Sequence, residues 1–350
     1  MKKTILYTVC LFVLTVTSCD KTVLEFPEGE GADPTLVRMN LSLEVDPSIE
    51  LYTPSRSKTA GTDETHHVRW IIEVFRDEID GAPVERRILC CDKAADGKHA
   101  IETSIPLHAA KYHVVAWADY VDKGSTEDKY YTVSSLSSIC IPEPEDYIGD
   151  EQHKDAYVGR KAFDLTVYRD RWNETAECAI TLERPMAQIE FITTDVDKFL
   201  DNLARRNAKN AQTYGVVADN LLGSAPDLSS IQVTVDYACY FPSSFNAYTD
   251  KPNDACLGMS FGCCMTPLSD KEAHLAGDHI FVNGSESAVT VNLTLRDGEG
   301  NLLNEIGDID VPIVRGKLTT IRDEFLTRDY APGIGINPGF DGEIDIVIPD

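Results

Sequence analysis

The chain has 350 residues, enough for two domains rather than one, and 43% hydrophobic with 26% charged side chains is a globular rather than a disordered composition. With 58 acidic against 32 basic residues its formal net charge is −26, which argues against a phosphate-neutralising nucleic-acid binder and against adsorption to anionic lipid. The one stretch apolar enough to enter a bilayer lies at the extreme N-terminus, so a multi-span membrane protein is excluded.

Lys2 and Lys3 open the chain, and residues 5–14 form an apolar run of ten. Such a run is too short for a ~30 Å hydrocarbon core but fits the apolar region of a signal peptide. Val16-Thr17-Ser18-Cys19 follows, with an aliphatic residue, two small residues and a thiol. This resembles the lipobox of bacterial lipoproteins, in which cleavage falls between Ser18 and Cys19 and the cysteine carries diacylglycerol. An ordinary secretory signal with an incidental cysteine is the other reading; the spacing and the polar exit Asp20-Lys21-Thr22 disfavour it. Beginning at Cys19, the mature chain would keep 30 basic against 58 acidic side chains. A protein so acidic needs distance from negative lipid, and residues 23–34, rich in Pro, Gly and Glu, supply a spacer. The expectation is a signal peptide at 1–18, a lipid-anchored linker at 19–34, and an outer-membrane, surface-facing body.

From there the pattern is that of strands. Val37, Met39, Leu41, Leu43 and Val45 alternate with polar neighbours; Ile231 to Tyr237, Val289 to Leu295 and Ile344, Ile346 and Ile348 do the same. Further strands are expected at 68–76, 84–91, 111–119, 176–183, 187–193, 279–283 and 317–325. Asp80-Gly81, Asp96-Gly97, Asn283-Gly284, Asp297-Gly298 and Asp341-Gly342 punctuate them as turns. One segment differs: Val196, Phe199, Leu200, Leu203 and Ala204 keep helical spacing behind Asp195, predicting a short helix over 196–209. A lone helix cannot build βαβ units, so an all-β fold of two antiparallel β-sandwiches is expected, at 35–184 and 185–350, joined near Arg184-Pro185. No internal repeat of fixed period is visible.

Chemistry-bearing motifs are weak. Gly258-Met259-Ser260-Phe261-Gly262 has the form of a nucleophile elbow, with Asp270 or Asp278 and His274 or His279 downstream, but Pro267 interrupts the helix that an elbow requires. Cys256, Cys263, Cys264, His274 and His279 could be gathered around zinc, yet they lack a C-x-x-C pair. Gly333, Gly335 and Gly339 only loosely match a dinucleotide fingerprint, and Asp297-Gly298-Glu299-Gly300 lacks the alternating ligands of a calcium loop. His66-His67 reads as a solvated strand start. Trp70, Trp117 and Trp172 are core or edge aromatics unless exposed together as a sugar platform. Cys90, Cys91, Cys140, Cys178, Cys239, Cys256, Cys263 and Cys264 suit either four disulfides or, given their strand-like settings, buried thiols. No catalytic residue, cofactor or metal is assigned.

The lipobox, HAAKYHVVAWADYVDKGSTEDKYY (108–131), HKDAYVGRKAFDL (153–165), LERPMAQIEF (182–191), VPIVRGKLTTIR (311–322) and GIGINPGFDGEIDI (333–346) are similar to segments of fimbrillin-like lipoproteins. The resemblance is strongest to their fimbrial anchor and accessory branch. It implies two transthyretin-like β-sandwich domains and, as partners, fimbrial subunits joined by strand donation, in which main-chain pairing is supplied by one chain to another. Ile344, Ile346 and Ile348 are then the candidate donor strand. The strand of Val37 to Val45 would be the one that polymerising pilins lose by cleavage after an arginine, for which Arg56, Arg69 and Arg76 are candidates; an anchor subunit would retain it. The function so implied is a non-catalytic anchor, accessory or tip subunit in pilus assembly and adhesion. The alternative is a surface glycan-binding lipoprotein beside an outer-membrane importer.

Overall fold

The computed structural model describes residues 35–46, 65–91, 99–171, 174–214, 227–328 and 343–347. The first half contributes β1 (Leu36–Val45), β2 (His66–Arg76), β3 (Glu85–Cys91), β4 (Ala100–His108), β5 (Lys111–Asp122), β6 (Thr132–Ser135), β7 (Ser138–Cys140), β8 (Ala156–Asp164) and β9 (Thr175–Leu182). The second contributes β10 (Met186–Thr193), α1 (Val196–Tyr214), β11 (Gln232–Tyr237), β12 (Phe241–Asn246), β13 (Lys251–Cys256) and β14 (Ser260–Cys264). It continues with β15 (Thr266–Pro267), β16 (Ala273–Phe281), β17 (Glu286–Arg296), β18 (Leu302–Val314), β19 (Leu318–Asp323) and β20 (Glu343–Val347). The fold is all-β with one helix among the described residues, as the alternation requires, and that helix is not long and apolar enough to cross a membrane.

In the first sandwich β1 lies between β4, antiparallel, and β9, parallel. Val37, Met39, Leu41 and Leu43 point inward from β1 and meet Ala176, Cys178, Ile180 and Leu182 of β9 in one core. The facing sheet runs β3-β2-β5-β8. Its central strands lack alternation because both faces are covered. Trp70, Ile72 and Val74 of β2 face the first core, whereas Ile71 and Phe75 face a second apolar cluster with Val115 and Trp117 of β5.

The second sandwich repeats this connectivity. β10 lies between β16, antiparallel, and β19, parallel, and the facing sheet runs β14-β11-β17-β18. Thus β1, β2, β3, β4, β5, β8 and β9 correspond in order to β10, β11, β14, β16, β17, β18 and β19. The repeat has no fixed period, because the connections differ in length. Each sandwich carries two short extra strands, at different points of the path: β6 and β7 between β5 and β8 in the first, β12 and β13 between β11 and β14 in the second. These four strands join into a single sheet, β13-β12-β7-β6, through Ser244 opposite Cys140 and Phe245 opposite Ile139. The apolar cluster behind it takes Trp117, Tyr131, Val133 and Ile139 from the first half and Met186, Phe245 and Phe281 from the second.

The helix starts at Val196 as expected and runs to Tyr214, beyond 209, since no Gly or Pro interrupts the sequence before Gly215. Val196 and Phe199 are buried, with Leu200 and Leu203 packed beside them. The Asp195 carboxylate accepts from the backbone of Leu326 and Thr327 and from the hydroxyls of Thr193 and Thr327, so it pins the 325–327 turn to the helix start.

Candidate functional site

The most polar part of the interior lies between the two sandwiches. The chain from Tyr147 to Asp155 leaves the shared sheet and enters β8, and β10 and β16 face it across the boundary. Gly149 lies so close to the Phe261 ring that a Cβ there would fall 2.3 Å from its Cγ, which brings the segment in tightly. Asp150, at φ 54, hydrogen-bonds through its N–H to the Gly277 carbonyl of β16 and through Oδ1 to Nε2 of His274, at 2.8 Å. The other ring nitrogen of His274 lies 3.4 Å from Glu190 on β10.

Two ion pairs sit deeper. Lys154 donates to Asp278 Oδ1 at 2.6 Å and to the Tyr147 hydroxyl at 2.7 Å, and its Nζ is 3.9 Å from the centre of that ring. Tyr147 and Tyr237 both donate to Asp278 Oδ2 at 2.7 Å, and the His279 N–H donates to Oδ1 at 2.8 Å. Burial lowers the Lys154 pKa, and the attraction of Asp278 offsets this only in part. Burial also raises both phenols well above the ordinary tyrosine value, so they remain donors. Beside this pair, Arg184 forks onto Asp155 at 2.6 and 2.5 Å, and Tyr157 donates to the same carboxylate at 2.7 Å. Burial opposes both charges, but mutual attraction wins, holding Asp155 below and Arg184 above their ordinary values. Gln188 donates to Nε2 of His279 at 2.6 Å, and burial brings that imidazole down to about 4. Apart from Asp150, which is half-buried, these side chains are closed to solvent, so the seam joins the sandwiches rather than forming an open pocket.

The residues singled out in the sequence fall elsewhere or take other roles. Ser18 and Cys19 lie outside the described residues, as do Ile348, Arg56, Trp172 and Gly333, Gly335 and Gly339. Ile344 and Ile346 lie in β20, opposite Ile321 and Thr319 of β19, at the edge of the sheet β15-β16-β10-β19-β20. Ser260 stands on a strand opposite Asp236 and is not followed by a helix, while His274 and His279 are engaged in the seam. No three His, Cys, Asp or Glu side chains among the described residues are arranged to hold a metal ion. Trp70 and Trp117 are fully buried, which removes both from any sugar platform. Arg69 is sealed in the centre of β2, forked onto Asp119 at 2.9 and 2.6 Å, and is no cleavage point; Arg76 is exposed at the strand end.

His66 opens β2 as expected but is not solvated: it stacks on His153 with ring centres 3.8 Å apart. Cys90, Cys140, Cys178, Cys239 and Cys256 are free thiols, of which only Cys178 is buried; Cys90, Cys140 and Cys256 are on short or outer strands that leave them half open. A cavity of about 580 Å³ beside α1, lined by Val196, Asp197, Leu200, Leu228, Leu268 and Asp270, shares no residue with the seam.

The sequence pattern did not single out Tyr147, Lys154 or Asp155 as a site. Their signal was there in HKDAYVGR and in AGDHIFV, where charges interrupt runs that otherwise bury completely.

No curated protein matches the chain. Similar solved structures include the fimbrial anchor protein Mfa2 from Porphyromonas gingivalis, 9% identical, covering 82% of this chain and 90% of that one, with a TM-score of 0.40. A Bacteroides eggerthii protein described under cell adhesion is 13% identical, covering 91% and 97%, with a TM-score of 0.43. The C-terminally truncated tip fimbrial protein Mfa3 from Porphyromonas gingivalis is 8% identical, covering 90% and 99%, at 0.36. A family of unknown function, DUF6562, has a model that matches residues 33–349, and the chain belongs to that family.

Proposed function

We propose that the chain is a non-catalytic cell-envelope lipoprotein, anchored in the outer membrane through Cys19 and acting as a fimbrial anchor, accessory or tip subunit in adhesion. In this reading residues 1–18 are removed, 19–34 form the tether, and the sandwiches at 35–184 and 185–350 are the part that partners grip. The observation carrying it is β20, an edge strand held through main-chain pairing to β19 along five residues, Glu343 to Val347. An edge strand so attached uses the same backbone bonds that strand donation between subunits uses, with alternate side chains left to set specificity. The charged seam and the shared sheet support the same reading, since a subunit that bears load profits from sandwiches that cannot swing apart.

Immunogold labelling and fractionation of cells carrying the wild type or Cys19→Ala test the proposal. Wild type is expected on the surface or on fimbriae and in the membrane fraction, and the variant in the soluble fraction. Membrane retention of Cys19→Ala overturns the anchor, and gold confined to the cell interior overturns the surface role.

A further inference from the structure

Lys154 and Asp278 hold an amine and a carboxylate 2.6 Å apart, with side chains only 2% and 0% exposed. A buried ion pair of this kind gains little over an apolar pair, because both charges have lost their hydration. Condensing the two groups removes both charges at once. Reacting groups held in attack alignment reach effective molarities of about 10⁵ M or more, and here the water whose high concentration favours the separate acid and amine is kept out.

We propose that Lys154 and Asp278 condense into an intramolecular isopeptide bond that ties the first sandwich to the second. Tyr147 is the proton relay: it accepts from Lys154 Nζ and donates to Asp278 Oδ2, each at 2.7 Å. One ammonium proton passes through the Tyr147 oxygen to Oδ2, leaving a neutral amine and a carboxylic acid. The nitrogen lone pair attacks Cγ. A second nitrogen proton follows the same relay to Oδ2, the Cγ–Oδ2 bond breaks, and water leaves. The product keeps one N–H, and Oδ1 becomes the amide oxygen, still held by the His279 N–H. The negative charge that develops on Oδ1 as Cγ becomes tetrahedral is met by the His279 N–H, while Tyr237, donating to Oδ2 at 2.7 Å, holds the leaving oxygen in place. No cofactor or oxidant enters the balance. The lowered pKa of Lys154 favours the neutral amine on which the attack depends. The bond joins residues 124 apart in sequence. It does not depend on the proposed role at the cell surface.

Trypsin digestion of the unfolded full chain, followed by mass spectrometry, tests it. Cleavage after Lys154 needs a free ε-amine. The expected product is a branched peptide in which 130–160, uncut at Lys154, is joined to 272–296 with the loss of one water. Release of linear 130–154 and 272–296, without any branched species, overturns the proposal. Tyr147→Phe keeps the ring and is expected to lower the branched fraction severalfold; an unchanged fraction removes the relay. The wild-type digest decides the bond alone, so nothing rests on a variant that fails to fold.

Discussion

His279 shows what the seam asks of a single side chain. Burial, its largest influence, outweighs the attraction of Asp155 and holds the imidazole at about 4, against about 6.5 in the unfolded chain. Between these values the unfolded chain binds a proton that the folded chain refuses. The contribution is therefore complete above about pH 6.5 and is lost as pH falls toward 4, amounting to about 3 kcal/mol. His279→Gln keeps a partner for Gln188 and removes the titration. Urea midpoints compared at about pH 7 and about pH 4 should fall more steeply for wild type than for the variant, by roughly that amount; parallel falls would show that the histidine is not held neutral. Nothing in the residue type announced this. In sequence His279 is only a weak candidate for zinc and a weaker one for a triad, and only the strands around it decide that it is a neutral acceptor.

At the scale of elements, legibility tracks how many faces of a strand are covered. β1 and β17, buried on one face, alternate cleanly, and their positions follow from hydropathy alone. β16 is buried throughout, and the pattern placed a strand only at 279–283 where one runs over Ala273–Phe281, because its buried charges at His274 and Asp278 hide the apolar run. β4 alternates too, but Pro106 speaks against a strand; it is accommodated because β4 is an edge of its sheet. β12 and β13 pair through bulges and through a partner about a hundred residues away, which no local pattern can report.

Two predictions belong to this scale. Gly149→Ala must displace the Phe261 ring or the segment that carries Lys154 and Asp155, at a cost of about 1–3 kcal/mol, visible as a drop of a few degrees in Tm. An unchanged Tm would mean that the close approach is not needed. Deleting 343–350 removes β20 from the edge of β19, so copurification with pilin-like partners should be lost if that strand donates; an unchanged pull-down would leave β20 a strand of its own sandwich.

On the scale of the whole molecule, the question is whether two sandwiches with one connectivity behave as two bodies or one. Each has its own core, which favours separate unfolding, but three features oppose it. The sheet β13-β12-β7-β6 takes strands from both halves, its apolar cluster does the same, and Lys154 is tied across the junction to Asp278. Opening the seam while both sandwiches stay folded would expose that apolar cluster and break this tie, so it is the least favourable route. Unfolding should then be a single transition. The tryptophans can report it, because Trp70 belongs to the first core and Trp117 to the cluster between the sandwiches. In one variant Trp117 and Trp172 are replaced by Phe, in another Trp70 and Trp172. Fluorescence of Trp70 alone, fluorescence of Trp117 alone and the loss of strand signal by circular dichroism should share one midpoint in urea. Were the Trp117 signal to change at lower urea than the Trp70 signal, the junction would be yielding before the first core, and the molecule would be a hinged pair instead of a single rigid body.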